Sequence, residues 1–545
     1  MERFAALLDR LILTPQRNAK LRLLADYFRS TPDPDRGYAL AALAGDLDLP
    51  AVKPAILRAL VAERVDAVLF ALSYDYVGDL AETIALVWPD APAAHTRERP
   101  DEQRGDLGLA QIVEALRHAS RSDAPRCVAS MLDGLDVTGR RALLKLVTGS
   151  LRIGVSARLA KQALADLGGH EVNAIEEIWH AVAPPYAALF AWLDGRGERP
   201  SSTAAAPFRP VMLAQAANEV ELPLFTPDQY AAEWKWDGIR VQAVCERGIR
   251  RLYTRTGEDI GAAFPDMIEA LDIEGAIDGE LLVGRPTETG IEADSFAALQ
   301  RRLNRKTVSA KLAESHPAFI RAYDCLIDGT EDIRALPFHE RRRRLERRVA
   351  TSLSRRIDLS PLLAFGDTAD LMQRRTAPPS PVIEGVMLKR WDSVYEPGRP
   401  KGPWFKWKRD PYRVDAVLMY AQRGHGKRSS FYSDYTFGVW RRGASGEELV
   451  PVGKAYFGFT DAELTEIDRF VRGNTINRFG PVREVAHEAN HGLVLEVAFE
   501  GLARSARHRS GLAMRFPRIA RLRWDKPPCE ADRIEALEAL LAQGD

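Results

Sequence analysis

Apolar residues in the first part of the chain recur at helical spacing. Leu7, Leu8 and Leu11 form one set, and Leu21, Leu23, Leu24 and Tyr27 another, as expected of helices that bury one face. The pattern runs from residue 1 to about residue 195. Within it, the run Leu146-Val147-Thr148-Gly149-Ser150-Leu151-Arg152-Ile153-Gly154-Val155-Ser156 predicts a helix that stops at Gly149 and another that starts behind Ser156 as its N-cap. A Pro-, Arg- and Asp-rich stretch at 85–107 is expected to be a surface loop, and the polar Gly/Pro segment 194–202 a linker. From about 206 the pattern changes to short β-type runs at 241–244, 251–254, 276–277 and 386–388, with helical stretches between them such as 335–350. That mixture predicts an α+β domain. From about 411 the runs shorten further, punctuated by Gly424, Gly426, Gly453 and Gly458, and Val494-Leu495-Glu496-Val497-Ala498-Phe499 alternates as a half-buried strand should. A small β-barrel is expected there. The predicted organisation is an all-α domain over 1–205, an α+β domain over 206–410 and a barrel over 411–545.

A length of 545 residues is too great for one core. The 76 basic and 76 acidic side chains cancel, which argues against a protein that coats nucleic acid by bulk charge. Basic residues are nevertheless clustered: Arg341-Arg342-Arg343-Arg344, Arg301-Arg302, Lys406-Trp407-Lys408-Arg409 and the stretch 504–509. Any one cluster reads as a solvated helix face; several together raise the expectation of phosphate contacts. Cys127, Cys245, Cys325 and Cys529 lie far apart with no C-x-x-C pair, which argues against structural zinc and fits a reducing cytoplasm. The N-terminus lacks the apolar core of a signal peptide, and no apolar run reaches membrane-spanning length. No membrane partner is therefore expected.

The richest chemistry lies in Glu233-Trp234-Lys235-Trp236-Asp237-Gly238-Ile239-Arg240, of the form K-x-D-G-x-R with a glutamate two residues upstream. A lysine is nucleophilic only as the free amine. Its ordinary pKa is about 10.4, so the reading calls for a site that depresses it, by a nearby cation or by desolvation. Asp237-Gly238 predicts a tight turn, and Arg240 suits sugar or phosphate oxygens. The bland alternative is a strand ending in a D-G turn. Downstream lie Arg255 in Tyr253-Thr254-Arg255-Thr256-Gly257, Glu280 in Asp278-Gly279-Glu280, Tyr323-Asp324, Glu384-Gly385-Val386-Met387-Leu388-Lys389, Trp404-Phe405-Lys406-Trp407-Lys408 and Arg523-Trp524-Asp525-Lys526. Lys406 and Lys408 share a strand face. Singly, each has a plain structural explanation: a turn, a surface acid, a solvated strand, or a core tyrosine. The turn at Gly149 and Gly154 exposes backbone N–H groups suited to phosphates, or is an ordinary helix–turn–helix packing unit.

Taken in order, these seven patches resemble the motif series of the ATP-dependent DNA ligases. The stretch 146–155 resembles the helical DNA-binding domain of the replicative type, and Pro207-Phe208-Arg209-Pro210-Val211-Met212-Leu213-Ala214 resembles the approach to the catalytic domain, so the likeness spans nearly the whole chain. The resemblance implies an α+β nucleotidyltransferase domain and a C-terminal OB-fold. It implies that Lys235 attacks the α-phosphate of ATP, that AMP passes to the 5′-phosphate of a nick in duplex DNA, and that the 3′-hydroxyl then expels AMP. By the same resemblance Glu233 reads the adenine amine, Tyr323 stacks on the base, and Arg240, Arg255, Lys406 and Lys408 neutralise phosphate oxygens. Arg399, in Glu396-Pro397-Gly398-Arg399-Pro400, contacts the nucleotide. Arg523 and Lys526 hold the leaving pyrophosphate, with the barrel turning about a hinge at 408–412. Glu384 binds Mg²⁺, or Mn²⁺ in its place; Glu280 binds the metal or a ribose hydroxyl. Gly149, Arg152 and Gly154 contact DNA. The enzyme is expected to be a monomer, with any repair or replication proteins on other chains. A capping-type guanylyltransferase would not need the long helical region, an RNA ligase would not need a duplex-DNA module, an NAD-dependent ligase would bring cysteine-bound zinc, and a non-catalytic DNA clamp would not need an intact Lys235, Glu384, Lys406 and Lys526.

Overall fold

The computed structural model describes the chain apart from residues 50–51, 78, 90–106, 150, 201–205, 219, 288–289, 304, 306, 425–430, 444–445, 506–507 and 543–545. Ser150, Gly426, most of the expected loop at 85–107, the end of the 194–202 linker and part of the basic stretch 504–509 thus lie outside the described residues. Residues 85–87 are not loop; they close the helix Leu80–Val87, whose C-cap Trp88 is buried. Contacts divide the chain into two compact units. One comprises Met1–Ile175, Val182–Pro200 and Pro411–Gln543, the other Glu176–Ala181 and Ser201–Asp410.

The N-terminal part of the first unit is helical. Helix α1 (Val137–Val147) starts at Asp136, whose carboxylate accepts from the Gly139 N–H, and ends at Thr148. Gly149, Arg152 and Gly154 then adopt positive φ of +64°, +47° and +64°. Ser156 accepts from the Leu159 N–H and opens α2 (Ala157–Gly168). The sequence-predicted stop and cap are therefore both present. Buried Lys20, from the helix Arg17–Ser30, donates to the carbonyls of Ile153 and, at 3.1 Å, Gly154, which braces the turn from behind.

The second unit carries two sheets. Its strands are β1 (Tyr230–Trp236), β2 (Ile239–Glu246), β3 (Gly275–Thr287), β4 (Ala318–Asp328), β5 (Ile383–Arg390) and β6 (Trp404–Lys408). One sheet runs Gln215–Ala216, β6, β5, β1, Leu362–Leu363; the other runs Ile249–Thr254, β2, β3, β4, Glu331–Asp332. The expected β runs at 241–244, 251–254, 276–277 and 386–388 all fall in these strands. In the first sheet Tyr230 and Ala232 of β1, Val386 and Leu388 of β5, and Phe405 and Trp407 of β6 share one apolar core. By the two-residue period of a strand, Glu233, Lys235, Gly385, Met387, Lys389, Lys406 and Lys408 share the opposite face. Asp237-Gly238 carries the chain from β1 of one sheet to β2 of the other. A Cβ at Gly238 would lie 2.5 Å from the Leu281 carbonyl oxygen and 2.8 Å from Glu280 Cγ, so glycine lets the turn press against β3.

Helix α3 (Phe338–Thr351) packs on β4 and buries Phe338, Arg341, Arg342 and Leu345. The four-arginine run is therefore not a solvated face: only Arg343 looks outward, Arg344 is half-buried against Asp328 and Glu331, and Arg341 and Arg342 occupy stripe positions that normally hold apolar residues. Arg302 of the second cluster is likewise buried, on Asp266.

The C-terminal part of the first unit is β-rich. β7 (Tyr412–Arg423) pairs along its first half with β8 (Val494–Phe499) and along its second half with Val482–Val485, and β8 pairs with β9 (Arg518–Arg523). One long strand shared between two partners curls the sheet around a core of Val414, Leu418, Phe437, Val450, Leu495 and Val497, the arrangement expected of an OB-fold. No helix among the described residues is long and apolar enough to cross a membrane.

Candidate active site

The polar face of the first sheet gathers the predicted residues by register. Lys235 stands opposite Gly385, and Gly385 opposite Lys408; Glu233 stands opposite Met387, and Met387 opposite Lys406. Glu384 breaks the alternation. The pairing of β5 with β1 shifts between Ile383 and Gly385, so Glu384 is the extra residue of a bulge, a device that re-aims a side chain. Gly385 makes this possible: its φ is +148°, and a Cβ there would lie 2.2 Å from the Trp407 carbonyl oxygen. As a result Glu384 Oε2 meets Lys235 Nζ at 2.7 Å and Lys408 Nζ at 3.4 Å.

The electrostatics differ from the sequence expectation. Burial pulls the Lys235 pKa down, but Glu384, Glu280 and Asp237 together outweigh it, so the net shift is upward. A lysine met by several acids is held as the ammonium, because the acids come from three separate segments of the fold. Glu280 on β3 is pushed up to about 7, first by burial and then by Glu384 and Asp237, against the pull of Lys235 and Arg240. Lys406 is pushed down by burial and by the charges of Lys235, Arg399, Lys408 and Arg255. Arg255 and Arg399, both exposed, therefore act electrostatically on the same patch. Arg255 sits in the turn closed by the Gly257 N–H to Thr254 carbonyl bond of 2.9 Å. The Arg399 loop is pinned by Gly398, whose N–H donates to the Val211 carbonyl at 2.9 Å.

Arg240 projects from β2. Its Nη2 meets Asp278 at 2.6 Å and the Tyr395 hydroxyl at 3.0 Å, and its Nη1 donates to the Met212 carbonyl. Its Nε is buried without a protein partner. Tyr323, half-buried on β4, has the Lys389 ammonium 4.3 Å over its ring. Glu233 is 1% exposed. Its two oxygens meet Arg342 Nη1 at 2.8 Å and Lys389 Nζ at 2.5 Å. Lys389, Arg342, Asp278, Tyr395 and the Arg341–Asp324 pair were missed as site residues. A signal existed for the arginines, since 338, 341, 342 and 345 are spaced as one helical stripe.

Arg523 and Lys526 lie together on the barrel. Both bind Asp415, at 3.0 and 2.8 Å, and Arg523 also pairs with Asp525 at 2.9 Å. The carboxylate they share is thus Asp415, not the Asp525 between them in sequence.

Among the described residues no cluster of three or more His, Cys, Asp or Glu side chains forms a metal site. Glu280 and Glu384 still suit a hard cation: both are oxygen donors acting on Lys235, and two carboxylates leave positions for phosphate and water oxygens.

Residues 1–165 match the model of the DNA ligase N terminus, 211–408 that of the ATP dependent DNA ligase domain, and 428–526 that of the ATP dependent DNA ligase C terminal region. A probable DNA ligase of Koribacter versatilis is 30% identical, over 99% of this chain and 96% of its own. The chain belongs to the ATP-dependent DNA ligases. A DNA ligase of Thermococcus fumicolans is 27% identical over 98% of this chain and 97% of its own. The solved structure titled Pmar-Lig_PreS3 shares the fold, with a TM-score of 0.57 at 16% identity, covering 95% of this ligase and 99% of that chain.

Proposed function

We propose that this ligase seals nicks in duplex DNA through a covalent lysyl-AMP, with Lys235 as the nucleophile. The observation that carries the assignment is Lys235 itself. It is half-buried and 2.7 Å from Glu384, on a strand face that it shares with Lys406 and Lys408. Lys235 Nζ attacks the α-phosphorus of ATP; the N–P bond forms, the bond to the bridging oxygen breaks, and pyrophosphate leaves. The ammonium proton departs first, and Glu384 is within reach of it. Lys406, Lys408, Arg255 and Arg399 neutralise the phosphate oxygens as charge spreads over them. Arg240, fixed by Asp278 and Tyr395, contributes its positive charge to the nucleotide site. Glu233 reads the base amine and Tyr323 stacks on the ring. A Mg²⁺ held by Glu384, with Glu280 as second ligand or as ribose acceptor, would supply positive charge to the triphosphate and lower the Lys235 pKa.

AMP then moves to the 5′-phosphate of the nick, and the 3′-hydroxyl attacks that phosphorus and releases AMP. The turn at Gly149, Arg152 and Gly154 contacts the DNA backbone. Arg523 and Lys526 serve the pyrophosphate in the first step, with movement about 408–412 between steps. The three domains are 1–205, 206–410 and 411–545, acting as a cytoplasmic monomer on nicked DNA. Intact-mass spectrometry after incubation with Mg²⁺ and ATP, GTP or NAD tests the reading. One AMP-sized addition from ATP, mapped to Lys235 and discharged by nicked DNA, is expected. A GMP addition would indicate capping chemistry, and no addition from protein stripped of nucleotide would favour a DNA clamp.

A further inference from the structure

Two cations on one buried carboxylate need an explanation beyond nucleotide binding. Arg342 comes from α3 and Lys389 from the end of β5, and they meet different oxygens of Glu233 at 2.8 and 2.5 Å. Arg342 is itself fixed, donating to the Ser360 carbonyl at 2.8 Å and to Glu346 at 2.8 Å. Lys389 is 1% exposed and also donates to the Tyr323 carbonyl at 3.3 Å, with its ammonium 4.7 Å over the Trp404 ring. One residue earlier on α3, Arg341 grips Asp324, the neighbour of Tyr323, at 2.9 and 3.0 Å. The same helix therefore backs both residues assigned to the base.

We propose that Arg342, together with Lys389, determines base specificity by holding the Glu233 carboxylate as a rigid, acceptor-only reader. The inference rests on the reading of Glu233 given above. A carboxylate has about four lone-pair positions. Two are taken by the cations, and one on each oxygen is left for an incoming donor. A purine with an amino group at position 6 supplies that donor; one with a carbonyl there brings an acceptor against an acceptor. Because ion pairing already desolvates and orients Glu233, the base gives the contact without reorganising the site. Sites built around a buried hydrogen-bonding group reject ligands that leave it unpaired. Arg342 and Lys389 act through Glu233, so both are positioning residues.

The test compares ATP with GTP in single-turnover labelling of the full chain, stripped of bound nucleotide, with KM and rate measured separately. Variants are Arg342→Met, Arg342→Lys, Lys389→Met, Glu233→Gln and the double variant of Arg342→Met with Glu233→Gln. Arg342→Met is expected to lower the ATP:GTP efficiency ratio at least tenfold, mainly through KM for ATP, with Arg342→Lys keeping part of the preference. In the Glu233→Gln background the same change should add no further loss of discrimination. Equal losses with ATP and GTP would reduce Arg342 to a structural residue and overturn the proposal. A ratio that falls in Glu233→Gln but not in Arg342→Met or Lys389→Met would overturn it while leaving Glu233 as reader. An unchanged ratio in Glu233→Gln would sink the base-reading assignment and the proposal with it. Should Arg342→Met fail to fold, Arg342→Lys and Lys389→Met carry the same readout.

Discussion

Replacing Gly385 by alanine should disable the first chemical step from a position that carries no functional group. The added Cβ would sit 2.2 Å from the Trp407 carbonyl oxygen, 2.8 Å from Lys408 Cα and 3.1 Å from the Arg409 nitrogen, at a φ of +148°. Backbone of β6 cannot swing aside as a side chain would, so β5 and β6 must separate by about 1 Å, a displacement that costs on the order of 100-fold in rate when it falls on reacting groups. Overpacking and the disfavoured φ cost about 1–3 kcal/mol each, against a domain stability of about 5–15 kcal/mol. The domain should therefore still fold, but with Glu384 displaced from Lys235 and Lys408. Gly402→Ala is the control: its φ is +98°, yet a Cβ there meets nothing within 4 Å, so it reports backbone strain alone. The assay pairs single-turnover AMP labelling with urea unfolding. Labelling by Gly385→Ala within threefold of the unsubstituted protein, at an unchanged urea midpoint, would refute the argument that the bulge positions Glu384.

Arg341→Met should strand the fully buried Asp324 carboxylate, at a cost of about 3–5 kcal/mol; urea unfolding should register the loss, and adding Asp324→Asn should restore part of it. An unchanged midpoint would mean that the pair is not a structural anchor. Lys20→Met removes the two bonds that brace the carbonyls of Ile153 and Gly154; nick affinity should fall on the order of tenfold, as for a lost charged hydrogen bond or two, while AMP labelling is retained. Equal loss of both would make Lys20 a general stabiliser. Nick binding should weaken by about 10³ or more between 50 and 200 mM salt if six or more phosphates are neutralised; a flat titration would exclude backbone reading.

Much of this was legible because it is local. Helix period, the Ser156 cap, the Asp237-Gly238 turn and the alternation that puts Lys406 and Lys408 on one face depend on residues a few positions apart. Three features were not. Glu384 by alternation belongs on the core side of β5, and only the bulge, a property of the pairing with β1, turns it to Lys235. Arg341 and Arg342 look like part of a solvated run, because their acids stand 17 and 109 residues away in sequence. The Lys235 shift has the opposite sign to that expected, since the acids that set it arrive from β3, the β1–β2 turn and β5.

The sequence by itself determined the class of element at each stretch, the order of the motifs and hence the family, since hydrophobic period, capping and turn chemistry act over one or two turns of chain. Only the tertiary structure decided which charges are partners. Coulomb energy depends on distance through space and on the surrounding dielectric. The chain's neutral total therefore says nothing of a sheet face where Lys235 meets Glu384, or of a buried carboxylate at Glu233 held between Arg342 and Lys389.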